Sequence, residues 1–125
     1  MTLISAASAA VHNFDGVTFT GLAAPSRGAS ENAVWRVKLP AGRVSDSTHQ
    51  LSREEILVAV AGDAVATIGE TPHRFSACDT VVVPPFTDFK LDNPNNAPFE
   101  AIAVLPAGGR AMMPGVPPFT PPWAV

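Results

Sequence analysis

The side chains able to do chemistry are few in this 125-residue chain: three histidines (His12, His49, His73), one cysteine (Cys78) and a thin scatter of acids and bases. One cysteine allows no intrachain disulfide and no cysteine-based zinc site. Cys78 precedes Asp79 in what reads as a turn before an apolar strand. It is expected to be a small turn residue, with Asp79 capping the turn. Asp88, beside Phe89, could reach a pocket mouth, but an exposed loop aspartate is the commoner outcome. Arg36 and Lys38 could meet an anionic group. Alternation places them opposite Trp35, Val37 and Leu39, however, so an exposed face is expected for both. What His49 and Glu55 can do depends on the elements that carry them.

Those elements follow from composition and pattern. Hydrophobic residues make up 46% of the chain and charged residues 15%, so a packed core is expected and disorder is not. Thirteen prolines and nine glycines are scattered as punctuation, which favours many short strands over long helices. A net charge of −3 leaves no electrostatic footprint for nucleic acid, and no polybasic run could hold a membrane surface. Leu3 to Val11 is apolar but short and lacks the basic start of a signal peptide. A soluble cytoplasmic protein is the simplest expectation.

Residues 1–14 read as an N-terminal arm or edge strand, with a hint of helix between Thr2 and Val11. From Asp15 onward turn signals divide the chain into about eight strands. The expected strands are Val17–Leu22, Ala33–Leu39, Glu55–Ala61, Ala64–Ile68, His73–Phe75, Thr80–Val83, Phe89–Leu91 and Phe99–Leu105. The run Ile56 to Ala61 is apolar on both faces, a surface that a two-fold partner could cover. Parallel strands would need crossover helices, and none is present. The fold class is therefore all-β, an antiparallel double-sheet jelly-roll barrel over residues 15–108. Residues 109–125 form a proline-rich tail, expected to run extended without ladder or helix. Its Phe119 and Trp123 should pack on the barrel or on a dimer mate.

Two segments carry a family resemblance. In the first, Gly42 is followed by His49, then by Leu51, Glu55 and Gly62. It resembles the first cupin motif, in which a glycine precedes two histidines one residue apart, then a glutamate and a closing glycine. Leu51 stands at the second histidine position. Cys78 to Asn93 resembles the second motif. Asp79, Pro84 and Asn93 fall in place, Cys78 and Phe86 stand where glycines would be, and Phe89 stands where the last histidine would be.

The resemblance implies a cupin barrel whose metal site has lost half its ligands. In that family three imidazoles and a carboxylate converge on iron, manganese, nickel, copper or zinc; here His49 and Glu55 remain. It also implies that both point into the barrel, where Trp35, Val37, Leu51, Leu57, Phe86, Phe89 and Leu91 are the expected pocket lining. Burial would raise the carboxylate's pKa and lower the imidazole's, while mutual attraction would oppose both shifts. The expected function is a small-molecule-binding barrel. Its catalytic form is a metal-independent isomerase, cyclase, epimerase or lyase with His49 and Glu55 as the acid–base pair. One alternative is a metal-dependent enzyme such as a dioxygenase, with His49 and Glu55 as ligands to Fe, Zn, Ni or Mn and a third ligand from His12, Asp88 or a partner chain. The other is a non-catalytic ligand-binding or sensor module. Partners are expected to be a small, fairly apolar ligand and a second copy of the chain.

Overall fold

A computed structural model describes residues 2–125. The first strands are β1 (Ala10–Phe14), β2 (Val17–Ala23), β3 (Asn32–Leu39), β4 (Gln50–Leu51), β5 (Glu55–Ala61) and β6 (Asp63–Ile68). They are followed by β7 (Thr71–Ser76), β8 (Thr80–Val83), β9 (Phe89–Asp92), β10 (Phe99–Pro106), β11 (Ala111–Met113) and β12 (Val116–Phe119). Among the described residues helix is limited to three-residue 3₁₀ turns, and no helix is long and apolar enough to cross a membrane.

One sheet has the order β1-β2-β3-β10-β5-β8. Two three-stranded sheets, β12-β11-β4 and β7-β6-β9, form the other layer. A single bridge between His49 and Phe89 joins them at a seam. The strand pairs are antiparallel, as the absence of crossover helices requires.

Strand alternation decides which side chains meet between the layers. Along β3, Ala33, Trp35, Val37 and Leu39 are buried while Arg36 and Lys38 face out, where both pair with Glu100 of β10. Along β10, Phe99, Ala101, Ala103 and Leu105 are buried. Phe99 meets Phe75 of β7 edge to face at 5.2 Å, locking the two layers together at one end. Each large apolar side chain taken fully from water at this core contributes about 2 kcal/mol.

At the two ends of the chain the structure settles one expectation and overturns another. The N-terminal segment is a true edge strand. Asp15 and Gly16 both take left-handed φ, 51° and 76°, and close a two-residue hairpin between Phe14 and Val17. An Asp-Gly pair between apolar residues is the signal for such a turn. The tail does form a ladder, contrary to expectation. Val116 pairs with Met113 and Phe119 with Ala111, while Pro117 and Pro118 lie between those contacts at an irregular register. Prolines are tolerated on an edge strand where no N–H is demanded of them. Beyond it, Trp123 stacks on Phe19 of β2 with ring centroids 3.7 Å apart, so the tail is a wall of this chain's own barrel.

Candidate functional site

Three strands and the seam converge on one interior cavity of about 140 Å³. β3 supplies Trp35 and Val37, β5 supplies Glu55 and Leu57, and β9 supplies Phe89 and Leu91, with His49 and Leu51 beside them. Glu55 is inward for the same reason as Leu57 and Ala59: it shares their face of β5. Phe119 and Trp123 of the tail close another side.

His49 lies at the seam. Its backbone N–H donates to the Phe89 carbonyl at 3.0 Å, and the Phe89 N–H donates back at 2.8 Å. The Phe89 ring meets the imidazole edge to face at 5.4 Å. The position expected of the last histidine thus adjoins His49 in space and presents an apolar ring to it.

Glu55 is only 5% exposed, and no hydrogen bond or cation offsets its burial. Burial therefore pushes its carboxyl up to about 8, so that it holds its proton at neutral pH. Burial also pushes the His49 imidazole below its ordinary value, and the nearby Arg43 guanidinium adds to that effect. The two groups are shifted by their surroundings rather than by each other. At pH 7 the wall carries a neutral acid and a neutral base.

The cavity also has a polar rim. Arg43 donates through Nη2 to the Asp15 carboxylate at 2.8 Å and to the Asp15 carbonyl at 3.1 Å, tying its loop to the β1–β2 turn. Lys90 donates to the Ser45 carbonyl at 3.2 Å and pairs with Asp92 at 3.4 Å. Both cations line the cavity, and the motif-based reading passed over both. An arginine in a polar loop carries no local signal; its place at the cavity follows from Asp15, far away in sequence.

Phe86 is a correction. It does not line the cavity and is 66% exposed. Its φ of 55° turns the side chain outward, while its backbone N–H donates to the Leu51 carbonyl at 2.8 Å. Of the other sequence-derived residues, Trp35, Val37, Leu51, Leu57, Phe89 and Leu91 all line the cavity with His49 and Glu55. His12 lies outside it, with its ring 6.1 Å from Trp123. Asp88 is exposed and accepts from Gln50 Nε2 at 2.9 Å. Asp79 caps its turn by accepting from the Ser76 N–H at 2.9 Å.

No protein-family model matches the sequence, and no curated protein matches it either. Solved structures do match in shape. The polyketide cyclase RemF from Streptomyces resistomycificus superposes with a TM-score of 0.78 at 10% identity, over 94% of this chain and 87% of that one. An RmlC-like cupin from Shewanella frigidimarina gives 0.69 at 14% identity, over 85% and 90%. A cupin-superfamily sugar phosphate isomerase from Silicibacter pomeroyi gives 0.65 at 21% identity, over 82% and 68%.

The fold is that of the cupins.

On a cupin barrel the fate of each motif residue can be read. The two turn positions where the motif has glycine take the left-handed region that favours glycine: Cys78 has φ 74° and Phe86 has φ 55°. Gly62, at φ 78°, has no room for a side chain, because a Cβ there would overlap the Pro98 carbonyl oxygen. Asn93 is fully buried. Its Nδ2 donates to the Leu39, Pro40 and Ala97 carbonyls, and its Oδ1 accepts from the Asn95 N–H. The metal of the family does not fit the remaining donors. Leu51 and Phe89 offer no lone pair, and no group of three potential ligands exists among the described residues.

Proposed function

We propose that the protein is a small-molecule cupin that moves protons with Glu55 as acid and His49 as base, without a metal. The observation that carries the reading is Glu55 itself: a carboxyl in the wall of an apolar cavity, without a partner, with its pKa raised to about 8. Groups with perturbed pKa values in a cavity mark candidate catalytic sites, and an acid and a base pushed in opposite directions suit paired proton transfers. The reaction class is isomerisation, epimerisation, dehydration or cyclisation. A polyketide cyclase and a sugar phosphate isomerase among the proteins of similar fold show that such activities exist on this scaffold.

The test has two stages. Thermal-shift screening identifies a ligand, and turnover of that ligand is then compared between the wild type and Glu55→Gln. The reading expects loss of turnover with binding retained, and a rate that falls above about pH 8 as Glu55 ionises. Binding with no product in the wild type would establish a sensor instead. Stoichiometric metal in protein purified without chelator, lost in His49→Ala, would establish the metal-dependent alternative.

The same reading includes a homodimer formed through the outer face of the larger sheet. Val34, Val104, Ile56 and Val82 are cross-strand neighbours there in one row across four strands, and Val82 is 49% exposed. Sedimentation at micromolar concentration tests it: a dimer that Ile56→Asp converts to monomer is expected, and a wild-type monomer would remove this part.

A further inference from the structure

The cavity is chemically two-ended. One part of its lining, Trp35, Val37, Leu51 and Leu57, is apolar, with His49 and Glu55 as the polar groups beside it. Its rim carries two cations, Arg43 and Lys90, in a chain whose net charge is −3. They are the most enclosed cations of the five ion pairs. Their side chains are 17% and 28% exposed, against 44% to 74% for Arg36, Lys38 and Arg74. The acid at the rim, Asp15, has 67% of its side chain in solvent, where its charge is well screened. Arg43 is withdrawn towards the cavity and its counter-charge towards water, whereas Lys90 is balanced by the enclosed Asp92, so the positive potential at the mouth is that of Arg43.

Donors remain free there. The Lys90 ammonium has three N–H groups and two acceptors, Ser45 O and Asp92 Oδ2. Arg43 has five N–H groups; Nη2 serves Asp15, while the Nε and Nη1 contacts, to Asp15 O and Leu91 O, are long at 3.3 and 3.4 Å. The Nη1 end, whose one contact is long, is left to donate to an anion. The whole cavity, rim included, is about 140 Å³, which limits the ligand's size. A dry cavity of about 150 Å³ accommodates one benzene ring.

We propose that the cavity takes a small planar organic acid, its single-ring apolar body held among Trp35, Val37, Leu51 and Leu57 and its carboxylate at the rim against Arg43 and Lys90. This rests on the reading of the cavity as a ligand site and replaces the expected wholly apolar ligand with an amphiphilic one. Arg43 is then the residue that sets specificity.

The test is calorimetric titration at low salt and pH 7 with benzoate and its neutral isostere benzamide. The wild type should bind benzoate about tenfold more tightly than benzamide. Arg43→Gln should abolish that preference, with benzoate affinity falling about tenfold relative to benzamide. Because Arg43 also ties down its loop, Asp15→Asn provides a second arm. It leaves the guanidinium in place, removes the competing carboxylate, and should tighten benzoate about threefold without affecting benzamide. Equal or better binding of benzamide by the wild type would overturn the proposal, as would a preference that survives Arg43→Gln or benzoate affinity unmoved in Asp15→Asn. Benzamide bound without any preference for the acid defeats this proposal alone; neither probe bound at about 10 mM defeats the ligand-site reading with it.

Discussion

The turns around Gly62, Cys78 and Asn93 and the wall formed by His49, Leu51, Glu55 and Phe89 come from the same two sequence segments, yet they answer to different constraints. In the turns the backbone is what matters. Gly62 abuts a carbonyl, Cys78 and Phe86 hold left-handed φ without being glycine, and the buried Asn93 side chain donates to three carbonyls at once. In the wall it is the side-chain tips that set the chemistry, and the phenyl ring of Phe89 sits on a strand whose ladder is made by backbone groups alone. A scaffold of this kind lets the cavity's chemistry change while the fold stays, because ligand atoms at the end of a side chain carry no part of the ladder.

If the wall is only side-chain deep, restoring its missing donors should restore a metal. Leu51→His with Phe89→His would place two further imidazoles beside His49 and Glu55. Stoichiometric zinc binding with Kd at or below about 1 µM, about 8 kcal/mol, is expected by calorimetry. A folded double variant without tight metal would show that the seam has shifted those positions and break the comparison.

The turn side predicts the next largest effect. Asn93→Leu removes the donor from three carbonyls, that of Leu39 buried, and leaves the Asn95 N–H without its acceptor; it should cost about 3 kcal/mol in urea unfolding. A loss below about 1 kcal/mol would mean that the Asn93 loop is not the clamp described.

Glu55 sharpens the wall side through pH. Its folded pKa is raised, so the folded state binds the proton more tightly than the unfolded chain does. Its contribution is fully present below the unfolded value of 4.5 and is lost as pH rises towards about 8. The full loss is on the order of 5 kcal/mol. Glu55→Gln, which cannot ionise, should be more stable than the wild type at pH 9, and the difference should shrink towards pH 5. Parallel stability curves for the two proteins would show that Glu55 is not buried as described. His49 acts with the opposite sign: its lowered pKa makes stability fall as pH drops below 6.5.

The smallest effect concerns strain. Cys78→Gly should relieve a left-handed non-glycine residue at the cost of some unfolded-state entropy, for a net gain of about 0.5 kcal/mol. A loss on thermal melting would mean that the cysteine side chain contributes packing that its exposed position does not suggest.

Much of the fold was legible because strand alternation is a local property. β5 and β8 fall where the apolar runs place them, and Trp35, Val37 and Leu39 are buried while Arg36 and Lys38 face out. His49, Leu51, Glu55 and Phe89 could be expected on one cavity only because the resemblance to the cupin motifs implied it. β1 was less legible, although its Asp15-Gly16 turn carried a signal. β12 was hidden by two prolines whose neighbours, rather than they themselves, make the ladder contacts.

What the sequence determined by itself is therefore the face on which each strand residue sits, since a period of two needs no distant partner. Only the tertiary structure decided what fills the space between the faces. It turned Phe86 outward on a left-handed backbone, brought the tail in as a wall through Trp123 and Phe19, and set Arg43 and Lys90 at the rim. Each of these depends on contacts between residues far apart in the chain, and no local pattern encodes them. The acid and base of the wall owe their shifted pKa values to the same enclosure. His49 and Glu55 are ordinary titratable side chains until the two layers close over them.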